Sequence, residues 1–130
     1  MSGEAVGVLV VDDQMPFRLA ARSVVGVTPG FEVIGEAKSG EQAIEQVELL
    51  HPQLVLMDIN MDGISGIEAT RRITTEHPDT KVILLSTYDA EDLPGDARTC
   101  GALGYVHKER FGPDVLIDMW SGEQPGRFNP

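Results

Sequence analysis

The chain has 130 residues, of which 42% are apolar and 5% aromatic, and this length is that of one compact domain. Its net charge of −11 excludes the basic footprint that direct binding to DNA or RNA requires. One cysteine excludes an intramolecular disulfide, and no apolar run has the length of a membrane span, so we expect a cytoplasmic protein with no membrane partner.

Short apolar runs alternate along the chain with stretches of helical spacing. The runs are nearly continuous, which is typical of strands buried on both faces of a parallel sheet. We predict strands over residues 6–11, 31–34, 54–57, 82–85 and 103–106. We predict helices over residues 16–26, 39–50, 65–77 and 112–120.

Two of these helices begin with a recognisable capping pattern. Ser39 is followed three residues later by Gln42, and Ser65 is followed in the same way by Glu68. A serine at the N-cap accepts a hydrogen bond from a backbone N–H of the first turn, and the later Gln or Glu can return one. Both positions therefore predict the start of a helix.

The segment 91–101 is a less regular helix candidate. Pro94 and Gly95 oppose a helix interior, so a short or shifted helix is expected there. Five alternations of strand and helix predict an α/β fold, a doubly wound parallel sheet with helices on both faces. We assign residues 1–120 to this domain, and residues 121–130 to a linker or disordered tail.

Polar side chains follow the predicted strands at the same edge of the sheet. Asp12 and Asp13 follow the first strand, Asp58 the third and Ser86 the fourth, and Lys108 follows the fifth. In an open parallel sheet, the functional site lies outside the carboxyl ends of the strands. Each residue alone is a weak signal, but the set predicts one shared site.

Crowded carboxylates at this edge would need a compensating charge. Carboxylates that lie close together repel one another, so a cation or an ammonium group must offset them at neutral pH. Lys108 and a hard divalent ion would do so, and Mg²⁺ prefers oxygen ligands. The sequence therefore predicts a magnesium site.

Four sequence blocks resemble the signature blocks of two-component receiver domains. In chain order they read VLVVDDQMPFR, PQLVLMDINMDGISGIE, KVILLSTYDAED and GALGYVHKE, and the resemblance extends over about residues 6–120. Their wording is most similar to receivers that carry LuxR-type helix-turn-helix output domains. The resemblance implies a flavodoxin-like five-stranded fold and a role in two-component signal transduction, with transcription regulation as the expected output.

The resemblance also implies the chemistry of the acidic cluster. Asp58 would be the nucleophile that accepts a phosphoryl group from a sensor histidine kinase. Asp13 and Asp58 would bind Mg²⁺ directly, Asp12 would help through bound water, and Asn60 would supply its backbone carbonyl. The chain would then be a phosphoacceptor that catalyses only its own phosphorylation and dephosphorylation.

Three further residues match family positions outside the acidic cluster. Ser86 would hydrogen-bond a phosphoryl oxygen, and Lys108 would form an ion pair with the phosphoryl group. Tyr105 matches the aromatic residue that turns inward on activation, so Ser86 and Tyr105 would form the switch. A homodimer is possible, and DNA would be bound only through an output domain that this chain lacks.

Other interpretations remain open at this point. Asp62 replaces a proline common in the family, although Asp62-Gly63 can still form the turn. Pro94-Gly95 lies in the expected switch surface and suggests an alternative, a phosphorylation-independent interaction module. A metal-dependent phosphatase would normally have a second acid where Asn60 stands, and no glycine-rich loop supports a nucleotide or flavin carrier.

Overall fold

The computed structural model describes residues 5–122 and Phe128 and contains each predicted strand. The strands are β1 (Val6–Val11), β2 (Phe31–Ala37), β3 (Leu54–Asp58), β4 (Lys81–Ser86) and β5 (Gly104–His107). The α-helices are α1 (Met15–Val27), α2 (Gly40–Leu50), α3 (Gly66–Glu76) and α4 (Pro113–Ser121). The main difference from the prediction is β2, which extends three residues beyond its predicted end.

The five strands form one parallel sheet in the order β2-β1-β3-β4-β5. The chain moves from β1 outward to β2 and then returns to place β3 on the other side of β1. The connection after β1 runs towards β2, and the connection after β3 runs the opposite way, towards β4. This reversal opens a crevice at the carboxyl ends of β1 and β3. The predicted α/β doubly wound fold is confirmed.

Alternate residues of the strands supply the two apolar cores. One core lies against α1 and α4 and includes Val8 and Val10 of β1. The other lies against α2 and α3 and includes Leu9 and Val11 of the same strand. Successive side chains of a strand point to opposite faces, so a continuous apolar run supplies both cores and explains why this strand does not alternate with polar residues.

The two predicted capping serines form their N-cap bonds. Ser39 Oγ accepts a hydrogen bond from the Gln42 backbone N–H (3.0 Å), and Ser65 Oγ accepts one from the Glu68 N–H (3.1 Å). The return bonds differ from those of a capping box. The Gln42 side chain accepts from the Lys38 N–H, and the Glu68 carboxylate pairs with two arginines of its own helix.

The segment after β4 forms two short 3₁₀ helices, Ala90–Asp92 and Gly95–Thr99, in place of an α-helix. Pro94 is the N-cap of the second one, where its missing N–H removes no helical hydrogen bond. The expectation of a short or shifted helix is therefore confirmed. Ala97 and Cys100 still anchor the segment, because both side chains are buried in the core on the α2 and α3 side.

The predicted tail lies mostly outside the described residues. Ser121 is the last residue of α4, and Gly122 caps this helix with φ +93°. The Phe128 backbone N–H donates to the Leu103 carbonyl oxygen (2.7 Å), whereas residues 123–127 and 129–130 are among those not described. Among the described helices, none combines the length and apolar character needed to span a membrane.

Candidate functional site

Three carboxylates meet at the carboxyl edge of the sheet. Asp12 and Asp13 directly follow β1, and Asp58 is the last residue of β3. One oxygen from each side chain lies within 4.8 Å of the others. Asp12 and Asp58 are only 1% and 4% exposed, whereas Asp13 is open to solvent. The predicted cluster is therefore formed, with two acids buried and one at the entrance.

Lys108 lies between the two buried acids. Its Nζ is 2.8 Å from Asp12 Oδ2 and 3.3 Å from Asp58 Oδ1. It also lies 4.7 Å from the centre of the Phe17 ring, close enough for a cation–π contact. Lys108 follows β5 directly, so the sheet brings this ammonium group to acids that are far away in sequence.

Electrostatics at the site leave Asp58 unusually easy to protonate. Burial is the largest cause, and the neighbouring Asp12 charge adds to it, so the pKa of Asp58 rises to about 6 although Lys108 opposes the shift. Burial alone would lower the pKa of Lys108, but its contacts with Asp12 and Asp58 outweigh burial and raise this pKa. The ammonium group is therefore charged at neutral pH and stabilises the two acids.

The same residues fit a divalent cation. Within residues 5–122, Asp12 Oδ2 is a buried oxygen that accepts no hydrogen bond of good geometry, although it is ion-paired with Lys108. Lys108 supplies one positive charge beside three acids, so the cluster is still short of positive charge. Oxygen donors in such a cluster are those that Mg²⁺ prefers, either directly or through water. The donor set thus suits Mg²⁺ better than a thiolate-binding metal.

The two predicted switch residues, Ser86 and Tyr105, contact each other. Ser86 is buried and is the last residue of β4. The residue before it, Leu85, is the strand partner of Asp58. The Tyr105 hydroxyl donates to the Ser86 carbonyl oxygen (3.0 Å) and also contacts the Tyr88 carbonyl oxygen. Tyr105 is buried, and burial raises its pKa to about 12, so it remains a hydrogen-bond donor at neutral pH.

Asn60 lies at the exposed side of the site. It is the second residue after β3, and its Oδ1 accepts a hydrogen bond from the Tyr88 hydroxyl (3.4 Å). Asp62-Gly63 forms the expected turn nearby, because Gly63 has φ +85°, which glycine adopts easily.

Sequence reasoning missed Phe17, Arg18 and Tyr88. Phe17 contacts Lys108, Tyr88 contacts Asn60 and Tyr105, and Arg18 donates to the Asp12 carbonyl oxygen (2.8 Å). A signal for Arg18 was present in the sequence. It lies three and seven residues before Ala21 and Val25, on the buried face of α1, where a charged residue is unexpected.

A second group of possible metal ligands is separate from the acidic cluster. Glu48, Glu76 and His77 place one ligand atom each within 4.8 Å of one another, and His77 Nε2 is 3.0 Å from Glu48 Oε2. Both glutamates are exposed. A hydrogen bond between the His77 ring and the Glu48 carboxylate accounts for the contact without a metal.

Known proteins resemble this chain over most of its length. Residues 8–120 match the family model of the response regulator receiver domain. The transcriptional regulatory protein DegU of Brevibacillus brevis is 38% identical over 113 residues, which are 87% of this chain and 48% of DegU. The response regulator UvrY of Escherichia coli K12 is 38% identical over 122 residues, 92% of this chain and 56% of UvrY. This chain thus spans about half the length of these curated relatives.

Solved structures share the fold over nearly the whole chain. The response regulator domain of Thermotoga maritima CheB has a TM-score of 0.82 at 28% identity and covers 92% of this chain and 97% of that one. A LuxR-family response regulator from Aurantimonas sp. SI85-9A1 also has a TM-score of 0.82, at 27% identity, and covers 96% and 89%. On the family match and the relatives together, this chain belongs to the response regulator receiver domain family of two-component signalling.

Proposed function

We propose that Asp58 accepts a phosphoryl group from the phosphohistidine of a sensor histidine kinase, so that the chain works as a phosphorylation switch. The observation that carries this proposal is the position of Asp58, a nearly buried carboxylate beside an ammonium group and two further acids. Phosphoryl transfer requires mainly positioning and stabilisation of negative charge, and this site supplies both. A carboxylate can act as the nucleophile.

The phosphoryl transfer needs no reactant besides the phosphohistidine and water. A carboxylate oxygen of Asp58 forms a bond to phosphorus while the bond from phosphorus to the donor imidazole nitrogen breaks. That nitrogen keeps the electron pair and later takes a proton from solvent. Lys108 stabilises the negative charge on the transferred oxygens, and the Ser86 hydroxyl donates a hydrogen bond to one of them.

Asp12, Asp13, Asp58 and the backbone carbonyl of Asn60 are the residues that would hold Mg²⁺. Bound there, Mg²⁺ would offset the charge of the three acids and of the phosphoryl oxygens. The buried Asp12 Oδ2, whose charge is offset only by the Lys108 ammonium group, supports this assignment. The chain's own residues then need only to present Asp58 and to keep Lys108 in place.

The switch would pass through Ser86 and Tyr105. A phosphoryl group that draws Ser86 inward would act on the Tyr105 hydroxyl, because this hydroxyl donates a hydrogen bond to the Ser86 carbonyl oxygen. The affected surface would extend from about residue 87 to residue 120 and would present the signal to a partner or output domain. Transcription regulation is the output that we infer, and the name of the DegU relative supports it.

Labelling with acetyl phosphate and MgCl₂ tests the proposal. Wild type should gain the mass of one phosphoryl group, and Asp58→Asn should gain none. Asp62→Asn is the matched control, because Asp62 is an exposed acid in the next loop and should leave labelling unchanged. Equal labelling of wild type and Asp58→Asn would overturn the proposal.

Two further measurements separate the related interpretations. A receiver that catalyses only its own phosphorylation and dephosphorylation should not turn over an external phosphomonoester, whereas a phosphatase would. Homodimer formation remains a prediction, and analytical ultracentrifugation with and without acetyl phosphate checks it.

A further inference from the structure

Arg18 is a buried arginine that contacts the backbone of the acidic site. It is the fourth residue of α1 and is 6% exposed. A buried charge is costly unless it is paired and hydrogen-bonded. The contacts that satisfy this side chain therefore indicate what holds it there.

The guanidinium group joins the end of β1 to β2. Its Nη1 donates to the backbone carbonyl oxygen of Asp12 (2.8 Å), and its Nε donates to Glu36 Oε1 (2.9 Å). Glu36 lies on β2 opposite Val10, and its second oxygen pairs with Arg22 (2.8 Å). The Nε of Arg18 is thus fixed to β2, while its Nη1 is hydrogen-bonded to the turn that carries Asp12 and Asp13.

The bond to Asp12 fixes more than one atom. The Asp12 carbonyl belongs to the peptide plane that links Asp12 to Asp13, and a planar peptide orients both neighbouring residues. The Asp12 side chain is also bound, because its Oδ1 accepts from the Gln14 N–H (2.8 Å). Arg18 therefore sets how the two successive carboxylates are presented at the site.

We infer that Arg18 is a positioning residue that holds the Asp12–Asp13 turn in the conformation needed to bind Mg²⁺. The inference rests on the proposed function, which places Mg²⁺ among these acids. Groups that orient metal ligands from behind typically change metal affinity about 10–100-fold when they are removed. A forked, planar guanidinium suits this task, because it donates in two directions at once.

Calorimetric titration of the metal-free protein with MgCl₂ tests the inference. Arg18→Met should raise the Kd for Mg²⁺ by about 10–100-fold. Arg18→Lys keeps the charge but cannot donate along both directions of the fork, so it should raise the Kd by a smaller factor. Arg22→Met removes the other ion-pair partner of Glu36 and leaves the hydrogen bond from Arg18 to Asp12 in place. This variant should therefore bind Mg²⁺ as wild type does.

A further variant separates positioning from general stability. Val25→Ala removes two buried methyl groups from the same helix, so it should lower the free energy of unfolding in urea and leave the Kd for Mg²⁺ unchanged. Circular dichroism checks that each variant is folded, and Arg18→Lys decides the question where Arg18→Met does not fold.

The outcomes distinguish this inference from the proposed function. A folded Arg18 variant pair with the wild-type Kd would overturn the role of Arg18 alone. The same conclusion would follow if Val25→Ala weakened Mg²⁺ binding as much as Arg18→Met does. Wild-type protein that binds no Mg²⁺ would overturn the proposed magnesium site and the role of Arg18 with it.

Discussion

At the scale of single residues, Asp58 shows how burial prepares a carboxylate. Its raised pKa of about 6, against 3.8 in water, means that the folded protein binds a proton there more tightly than the unfolded chain does. Burial causes most of the shift, and the Asp12 charge adds to it. Lys108 and a cation at the site work in the opposite direction and favour the charged, nucleophilic form.

This shift predicts a specific pH dependence of stability in the metal-free protein. The contribution of Asp58 is fully present below about pH 4 and is lost as the pH rises through about 6, because the folded state then has to hold a buried charge. The free energy of unfolding of wild type relative to Asp58→Asn should therefore fall by about 1–3 kcal/mol between pH 4 and pH 7. Urea unfolding in EDTA measures it, and a constant difference across this range would contradict the prediction.

At the scale of elements, the carboxyl end of β3 and the start of α3 approach each other unusually closely. The Gly66 N–H donates to the Ile59 carbonyl oxygen (2.9 Å), and a Cβ added to Gly66 would lie 1.9 Å from the Asp58 carbonyl oxygen. Only glycine fits here without a shift of the backbone. The first residue of α3 thus helps to fix the strand end that carries Asp58.

Alanine substitutions at two helical glycines test this close approach. Gly66→Ala should lower the free energy of unfolding by about 1–3 kcal/mol, because the new methyl group meets backbone that cannot move aside freely. Gly26→Ala is the control in α1, since a Cβ there meets no atom within 4 Å and should raise stability by up to about 1 kcal/mol. Urea unfolding of both variants checks the prediction, and equal effects would count against it.

At the scale of the whole molecule, the net charge of −11 and the acidic cluster both oppose compaction. Lys108 offsets only part of the charge at the carboxyl edge. A ligand that binds the folded state and not the unfolded chain stabilises the fold by mass action. A divalent cation at the site is therefore expected to stabilise the entire domain.

This expectation predicts a Mg²⁺-dependent melting temperature. At about 100 times the Kd, Mg²⁺ should add about 2.7 kcal/mol and raise the Tm of wild type by roughly 5–10 °C, and EDTA should reverse the rise. The rise should be much smaller in Asp58→Asn. NaCl at equal ionic strength is the control for simple screening. An identical rise in both proteins would show that Mg²⁺ acts through general charge and not through this site.

Much of the fold and of the acidic site could be predicted from the sequence. Apolar runs that end in Asp12, Asp58 and Ser86 predict both the strands and the edge at which these residues meet. The hydrogen bond from the Tyr105 hydroxyl to the Ser86 carbonyl oxygen and the cation–π contact of Lys108 with Phe17 could not be predicted, because both depend on how helices and loops pack.

What the sequence by itself determined is the order of the elements, the parallel sheet and the set of residues at its carboxyl edge. Local patterns of apolar and capping residues are enough for this, because they act over a few positions of the chain. The tertiary structure alone decided that Asp12 and Asp58 are buried with Lys108 between them, and that Arg18 donates a hydrogen bond to the Asp12 carbonyl oxygen. Burial, pKa and contact geometry arise from residues distant in sequence, so they exist only once the chain is folded.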